Sequence, residues 1–555
     1  MPRNVLAVGI VLWITCAVVH AQGGAQPYGQ MRGFDPNAPT HDVSGSVINA
    51  ATGEPIPRAL VQMFGPSQRS DFTDSQGNFR FEGVPEGQAV FTARKPGFYS
   101  SEELARGGGR PRSPVKITSS MSPIVLQLTP EGIVTGTITG DDGEPLEGVR
   151  VRLKHQVVNN GRKQWEERQQ STSNEDGEFR VANLVPGTYN LFAEAQRPAT
   201  PRAASEQNLG YAPAYYPGAP DASSAAPIEV RGGQTVQLDF RLRTQPVFEV
   251  SGVVTGIAPG QRGVNVQFMN RSGDSISANV RFNPDDGTFS AKPPAGTYTV
   301  RASSFEQPRR TLTASALITV AANVSGIRLP LQPGASIPIV VRTDFTKQQS
   351  SPISGSIGGG VTSLGFPDRS PMQYASVQLI GLDNTRMNGF PMMERAPDNA
   401  SFALQNVEPG RYAAQISPHG PWYVQSATYG QTDLLREDMV VAPGDGRPIE
   451  ITLRDDGGSI AGSVTSDNVA ATAIVLAVPE RRSTPPQPHF ASENGFTISL
   501  LAPGDYLLFA FDSTDGLEYT NREALEPYAS RATRVSVSNN SSANVTLTLI
   551  KRGAP

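Results

Sequence analysis

Six aromatic side chains are the residues of this sequence whose types and surroundings best suit the binding of a ligand. Three of them are tyrosines in residues 211–218, where Pro213 and Pro217 stiffen the backbone and lower the entropic cost of presenting a ring. The face of a sugar ring stacks on such a ring through its C–H groups. The candidate ligand-binding residues are Tyr211, Tyr215, Tyr216, Trp165, Trp422 and Tyr423.

Packing is the alternative role for the three tyrosines of residues 211–218. A large aromatic ring that fills a groove between the second and third domains would stabilise the fold instead of contacting a ligand. The residue types alone suit both roles, because a tyrosine has an apolar body and a polar tip. The sequence therefore leaves the choice open.

The residues that most enzyme mechanisms need are scarce. The single cysteine, Cys16, lies in the amino-terminal apolar segment, and the chain has five histidines. The sequence contains no Gly-x-Ser-x-Gly motif, and no histidine is followed by glutamate three residues later, as a zinc peptidase would require. We predict that the protein is not an enzyme and has no catalytic residue, cofactor or metal site.

Charge excludes two classes of partner. The formal net charge is −4, and charged residues make up 18% of the chain. Such a balance gives no electrostatic attraction to nucleic acid or to an anionic membrane surface. The partners that remain are a polysaccharide or a protein of the cell envelope.

Residues 1–21 have the pattern of a secretory signal. Arg3 supplies a positive charge, residues 4–19 are mostly apolar, and Val19 and Ala21 suit the positions before a cleavage site. The alternative is an uncleaved membrane anchor, although 16 residues fall short of a full span. No later segment is apolar enough to cross a membrane. We expect an exported protein that is periplasmic, on the cell surface or extracellular.

A local pattern that recurs five times shows which elements must position these residues. Each copy has a Gly-x-Phe turn, or a close variant, and then a Pro-Gly corner, which in four copies places a tyrosine nine or ten residues after the phenylalanine. Glycine at the turn suits a hairpin that needs positive φ. The first copy pairs Phe79 with Ala89 and therefore lacks the tyrosine. The others pair Phe179 with Tyr189, Phe289 with Tyr298, Phe402 with Tyr412, and Phe496 with Tyr506.

Alternating apolar residues open and close each copy. The first, second, third and fifth copies open with residues 43–47, 134–138, 250–254 and 460–464. The fourth copy opens with a different run, residues 337–341, and similar alternating runs close all five copies. About seven short strands per 100 residues with frequent turns favour a sandwich. We predict an all-β fold: a tandem array of about five small antiparallel β-sandwich domains with their corner aromatics in the cores.

Residues 43–47, 52–59 and 73–79 together resemble a carboxypeptidase regulatory-like domain, and residues 142–149 through Tyr189 resemble a second copy. The resemblance implies a transthyretin-like Greek-key sandwich, of the type also grouped with carbohydrate-binding-like folds. It also implies a bacterial exported protein built from tandem modules, most of which in this family are non-catalytic accessory or binding domains.

The domain boundaries follow from the repeat. We predict a signal peptide (1–21), a linker (22–41), two regulatory-like sandwiches (42–129 and 130–244), a third sandwich (245–333), a divergent fourth with a Gly-rich insertion (334–455), and a fifth (456–555). Short joins between them predict little interface and semi-independent unfolding.

The function predicted from these features is that of a non-catalytic exported multi-domain binding protein with carbohydrate as its leading ligand class. The alternative is a structural or protein-interaction scaffold of the cell envelope.

Overall fold

The computed structural model describes residues 39–65, 67–104, 114–195, 209–257, 263–306, 310–346, 374–382, 393–395, 402–480 and 485–552. The predicted signal, most of the predicted linker and the Gly-rich insertion of the fourth domain lie outside the described residues. The described residues form strands almost throughout, which confirms the all-β prediction.

The strands group into five sandwiches in chain order. Sandwich 1 contains β1 (Thr40–Asn49), β2 (Leu60–Phe64), β3 (Arg69–Phe72), β4 (Asn78–Pro85), β5 (Gly87–Arg94), β6 (Phe98–Ser100), β7 (Val115–Ile117) and β8 (Ile124–Pro130). Sandwich 2 contains β9 (Gly132–Thr139), β10 (Val149–Asn159), β11 (Arg162–Thr172), β12 (Glu178–Leu184), β13 (Gly187–Ala195), β14 (Leu209–Tyr211), β15 (Ala214–Tyr215), β16 (Ile228–Val230), β17 (Thr235–Gln237), β18 (Phe240–Arg241) and β19 (Thr244–Pro246).

The remaining strands form three further sandwiches. Sandwich 3 contains β20 (Val250–Thr255), β21 (Asn265–Met269), β22 (Ser275–Ile276), β23 (Arg281–Phe282), β24 (Thr288–Ala291), β25 (Gly296–Glu306), β26 (Arg310–Val320), β27 (Val324–Pro330) and β28 (Gln332–Pro333). Sandwich 4 contains β29 (Ala335–Asp344), β30 (Ala375–Gly381), β31 (Met393–Arg395), β32 (Phe402–Val407), β33 (Gly410–Pro418), β34 (Tyr423–Tyr429), β35 (Thr432–Asp433), β36 (Met439–Val441) and β37 (Ile449–Arg454).

Sandwich 5 contains β38 (Gly458–Ser466), β39 (Val469–Ala470), β40 (Ala473–Pro479), β41 (Pro488–Ala491), β42 (Phe496–Leu501), β43 (Gly504–Phe511), β44 (Thr533–Val537) and β45 (Ser542–Ile550). The helices are short: α1 (Ser101–Leu104), α2 (Arg522–Leu525) and a 3₁₀ turn (Glu526–Arg531). None of the helices in the described part of the chain has the length and apolarity of a membrane span.

All five sandwiches share one strand topology. The opening strand pairs antiparallel with the strand of the Gly-x-Phe motif and parallel with the closing strand, as β1 does with β4 and β8. In sandwich 4 the divergent opening strand β29 makes the same two pairings, with β32 and β37. The local pattern in the sequence therefore corresponds to a repeated tertiary unit.

The corner tyrosines lie in the cores, as predicted. Tyr189, Tyr298, Tyr412 and Tyr506 are at most 6% exposed. Each hydroxyl donates to the carbonyl oxygen four residues earlier, at 2.6 Å (Val185), 3.0 Å (Pro294), 2.7 Å (Glu408) and 2.7 Å (Ala502). The bond ties the corner to the strand that follows it and gives each of these four hydroxyls a partner.

The chain divides into two compact units. The first is formed by described residues 39–49, 53–95 and 114–128, which make up most of sandwich 1. Its core includes Phe81 and Phe91, whose ring centroids lie 6.4 Å apart. The second unit contains sandwiches 2 to 5.

Sandwiches 2 and 3 share a core, which the short joins of the sequence did not predict. Phe192 and Tyr215 of sandwich 2 pack in one cluster with Val250, Phe268 and Ile276 of sandwich 3. The expectation of little interface is therefore wrong for this pair. The physical reason is that β13 carries apolar residues on both of its faces, so its outer face also needs a cover.

Candidate functional site

The outer face of one sheet of sandwich 2 positions the candidate site. Successive residues of a strand point to opposite faces, so Leu153 and Leu191 face the core of sandwich 2 while Lys154 and Asn190, which pair across β10 and β13, face outward. Trp165 pairs with Gln156 across β10 and β11 and shares this outer face. One end of the face packs on sandwich 3, and the other end lines a cleft.

A buried charge cluster lies at the base of this cleft. Asp274 of sandwich 3 is 1% exposed and contacts both the Lys154 ammonium and the Tyr215 hydroxyl of sandwich 2. Burial, together with the adjacent Asp274 carboxylate, raises the pKa of Tyr215, so its hydroxyl stays protonated and donates to that carboxylate. Removing the Asp274 carboxylate would take this ion pair away from the buried Lys154 ammonium.

Arg152 reinforces the same junction. Its guanidinium donates to the Ser275 carbonyl oxygen at 2.9 Å and lies 4.6 Å above the centre of the Phe192 ring. Nearby, the Glu194 carboxylate accepts from the Ser277 backbone N–H, and burial raises the pKa of Glu194. Polar contacts therefore fix the relative position of sandwiches 2 and 3 around their shared core.

Further contacts join the other sandwiches of this unit. The Arg301 guanidinium of sandwich 3 pairs with the Glu408 carboxylate of sandwich 4. Burial raises the pKa of Glu408, and the positive charge of Arg301 partly offsets this rise. Between sandwiches 4 and 5, the Tyr423 hydroxyl donates to Asp456 at 3.1 Å, and Asp456 also accepts from Asn539.

Sandwich 5 also contacts sandwich 2. The tip of the β10–β11 hairpin is Gly161, whose carbonyl oxygen accepts from the Thr520 hydroxyl at 2.5 Å and from the Thr520 N–H at 3.2 Å. Sandwiches 2, 3, 4 and 5 thus form a closed circuit of contacts.

The cleft lies between the sandwiches of this circuit, is open to solvent on one side and has a volume of about 1510 Å³. All four sandwiches contribute to its walls. The lining combines polar and charged side chains with apolar ones such as Leu379, Leu434 and Val478, and Trp165 lies on the sandwich 2 wall. Its volume exceeds that of an ordinary small-molecule pocket, about 300–1,000 Å³, so an oligomeric ligand fits it better.

One lining residue has an unused donor. Asn190 is 3% exposed, and within the described residues its Nδ2 atom has no hydrogen-bond partner. Leaving a buried donor unsatisfied costs about 1–3 kcal/mol. A ligand oxygen in the cleft would satisfy it.

The six aromatic candidates do not come together. Trp165 is half-buried and lines the cleft. Tyr211 and Tyr216 are half-buried against the core of sandwich 2, where Tyr216 meets Phe240 edge-on at 5.8 Å. Tyr215 is 0% exposed, so no ligand can stack on its ring.

The remaining two candidates are buried in sandwich 4. Trp422 is 8% exposed, stacks on Phe345 at 5.3 Å and donates from Nε1 to the Tyr374 carbonyl oxygen at 2.8 Å. Tyr423 is 6% exposed and bound to Asp456. For Tyr215, Trp422 and Tyr423 the expectation of an accessible stacking ring is corrected, because each ring is enclosed by protein.

Sequence reasoning missed Lys154, Asn190 and Asp274. Within β13, Asn190 interrupts the apolar run that begins at Tyr189, and this was the one available signal. A polar residue at this place in an apolar strand indicates that both faces of the strand are covered by protein and that polar groups pack against its outer face. The described part of the chain brings together no group of three or more His, Cys, Asp or Glu side chains suited to a metal ion.

Comparison with protein-family models gives two matched segments. Residues 42–118 and 133–243 match the carboxypeptidase regulatory-like domain. These segments belong to that family. The two carboxypeptidase regulatory-like segments fall in sandwiches 1 and 2, and the second contains Lys154, Trp165 and Asn190. The resemblance seen in the sequence is thereby confirmed.

Solved structures show only distant likenesses. The chain is similar to the minor pilin GBS52 of Streptococcus agalactiae (16% identity, 37% of this chain and 97% of that chain, TM-score 0.20). It is also similar to the Bacillus anthracis TIE protein (10% identity, 93% of this chain and 75% of that chain, TM-score 0.18). A third similar structure is the shaft pilin SpaA of Lactobacillus rhamnosus GG (10% identity, 40% of this chain and 100% of that chain, TM-score 0.21). At such scores these likenesses carry no argument about function. Comparison with curated protein sequences finds no match.

Proposed function

We propose that this chain is a non-catalytic, exported binding protein whose ligand is a carbohydrate held in the cleft of sandwiches 2 to 5. The observation that carries the proposal is Trp165 on the wall of a cleft with both polar and apolar lining residues, which also presents the unused Asn190 donor. An aromatic face stacks on the C–H groups of a sugar ring, and polar neighbours bond its hydroxyl groups. Export is supported by the signal pattern in residues 1–21.

Affinity electrophoresis against soluble neutral and charged polysaccharides tests this proposal. We expect Trp165→Ala to weaken retention about tenfold or more, because truncating an aromatic anchor costs about 1–2 kcal/mol or more. Phe72→Ala is the matched control, since Phe72 is 63% exposed and does not line the cleft. Equal retention of both variants, with unchanged melting, would exclude the cleft as the carbohydrate site.

A scaffold role in the envelope is the second candidate, and one sheet edge favours it. Residues 314–320 of β26 contain no charged residue and no proline, and Leu317 is 75% exposed. Among the described residues their strand partner is β25 alone, because β28 pairs with Leu312 and Thr313. Such an edge can accept a strand from another protein. Crosslinking of an envelope protein that is lost in Leu317→Lys would favour this role.

A further inference from the structure

The charges that line the cleft are divided between its walls. Sandwiches 2 and 3 supply four basic residues and one acidic residue, whereas sandwiches 4 and 5 supply two basic and four acidic residues. The first group is Lys154, Arg162, Lys163, Arg271 and Asp221, and the second is Arg436, Arg522, Glu437, Asp438, Glu518 and Glu523.

Several of these charged side chains already have partners within the protein. Lys154 is paired with Asp274, Arg436 with Asp433 at 3.3 Å, and Asp438 with Arg411 at 3.0 Å. Arg522 donates to the carbonyl oxygens of Pro479 and Glu480.

Apart from Asp221, whose carboxylate accepts from the Ser223 and Ser224 hydroxyls, the charges left for a ligand have opposite signs on the two walls. Lys163 and Arg271 are exposed on the wall of sandwiches 2 and 3, and among the described residues Arg271 donates to the neutral Thr297 hydroxyl alone, at 3.3 Å. Glu437, Glu518 and Glu523 lie on the wall of sandwiches 4 and 5, and none of them forms an ion pair with a described residue.

Asn190 gives an independent indication of a ligand at the same place. Its side chain is 3% exposed, lines the cleft and has an Nδ2 donor without a partner among the described residues. The donor lies on the strand beside Lys154. It suits an oxygen acceptor of the ligand on the basic wall.

We propose that the carbohydrate bound in this cleft is amphoteric: it carries carboxylate groups that meet Lys163 and Arg271, and amino groups that meet Glu518 and Glu523. This inference rests on the proposed function and adds the ligand class. A polymer with one sign of charge is attracted by one wall and repelled by the other, whereas a polymer with both is attracted by each.

Four soluble polymers with the same β-1,4-linked backbone separate the possibilities. Hydroxyethyl cellulose is neutral, carboxymethyl cellulose carries carboxylates, chitosan carries amines, and carboxymethyl chitosan carries both. At about pH 6 the carboxylates are ionised and many of the amines protonated. We expect carboxymethyl chitosan to bind the purified protein at least about tenfold more tightly than hydroxyethyl cellulose, and this advantage to shrink as salt is added.

One double variant tests each wall of the cleft. Lys163→Glu with Arg271→Glu should weaken both carboxymethylated polymers about tenfold and leave chitosan no weaker. Glu518→Gln with Glu523→Gln should weaken the two amine-bearing polymers and leave carboxymethyl cellulose no weaker. Because most of these side chains are exposed, a melting curve should show both variants folded.

Failure of this inference is distinguishable from failure of the proposed function. Equal binding of all four polymers that is lost in Trp165→Ala would overturn the amphoteric ligand and keep the carbohydrate site. Binding that is unchanged in the charge variants and in Trp165→Ala would overturn both the amphoteric ligand and the carbohydrate site in the cleft.

Discussion

The Thr520 hydroxyl and the Gly161 carbonyl oxygen lie 2.5 Å apart, although 359 residues of chain separate them. Gly161 has φ +72°, and a Cβ atom at this position would lie 2.4 Å from the ring of Tyr519. The hairpin of sandwich 2 can therefore approach sandwich 5 this closely only with glycine at its tip.

Gly161→Ala should open this contact. Gly143→Ala is the matched control, because Gly143 also lies in sandwich 2, has φ +81° and has no atom within 4 Å of the added Cβ. Both variants incur the cost of about 1 kcal/mol for a side chain at positive φ, and only Gly161→Ala also clashes. We expect a larger radius of gyration by small-angle scattering for Gly161→Ala alone. Identical scattering from both variants would show that the contact tolerates the methyl group.

Tyr215 should couple the unfolding of sandwiches 2 and 3. Tyr215→Ala removes a ring from their shared core, which costs about 3–5 kcal/mol. Tyr215→Phe keeps the ring and removes only the donor to Asp274, which costs about 1–3 kcal/mol. In calorimetry we expect one transition for both sandwiches, lowered as a whole by each variant. A loss confined to sandwich 2 would contradict this coupling.

The corner tyrosine should stabilise its own sandwich. Tyr506→Ala should lower the unfolding free energy of sandwich 5 by about 3–5 kcal/mol, and Tyr506→Phe by about 0.5–1.5 kcal/mol because it loses only the bond to Ala502. Urea unfolding measures both. Sandwich 1 has the buried Ala89 at this place, so the ring adds stability and is not a condition for folding. Equal losses in the two variants would assign the whole effect to the hydroxyl.

His155 should make stability depend on pH. It is half-buried and stacked on Tyr189 at 4.7 Å, and burial, helped by the charge of Arg168, lowers its pKa to about 4 against the opposing Glu166. Between about pH 6.5 and pH 4 the unfolded chain takes up a proton that the folded chain does not, so stability falls as pH falls. Above pH 6.5 His155 contributes no slope.

The comparison of wild type with His155→Gln isolates this contribution. Urea unfolding at several pH values should give a difference between the two proteins that changes only between about pH 6.5 and pH 4. The buried Glu194 and Glu408, whose raised pKa values give the opposite slope, are common to both proteins and cancel. A difference that is constant with pH would show that His155 is as easily protonated in the fold as outside it.

The repeat could be read from the sequence because its signals are local. A glycine before Phe179, a Pro-Gly corner and Tyr189 ten residues on each act within one hairpin, and the pairing of β9 with β12 brings these positions into one core. Phe496 and Tyr506 obey the same spacing in sandwich 5. Alternation along a strand also separates the core face from the outer face without any knowledge of distant residues.

The site could not be read in the same way, because its contacts join residues far apart in the chain. Asp274 meets Lys154 and Tyr215 only once sandwich 3 covers the outer face of β13. Whether an aromatic ring faces solvent or a neighbouring sandwich depends on that packing, so residue type alone did not distinguish Trp165 from Tyr215.

The amino-acid sequence by itself therefore determined the strands, their corners and the family of the first two sandwiches, since these follow from turn chemistry and period-two alternation within short segments. Only the tertiary structure decided that four sandwiches close on one another around a cleft. That arrangement depends on side chains such as Gly161 and Tyr519, whose complementary shapes matter only when their domains meet.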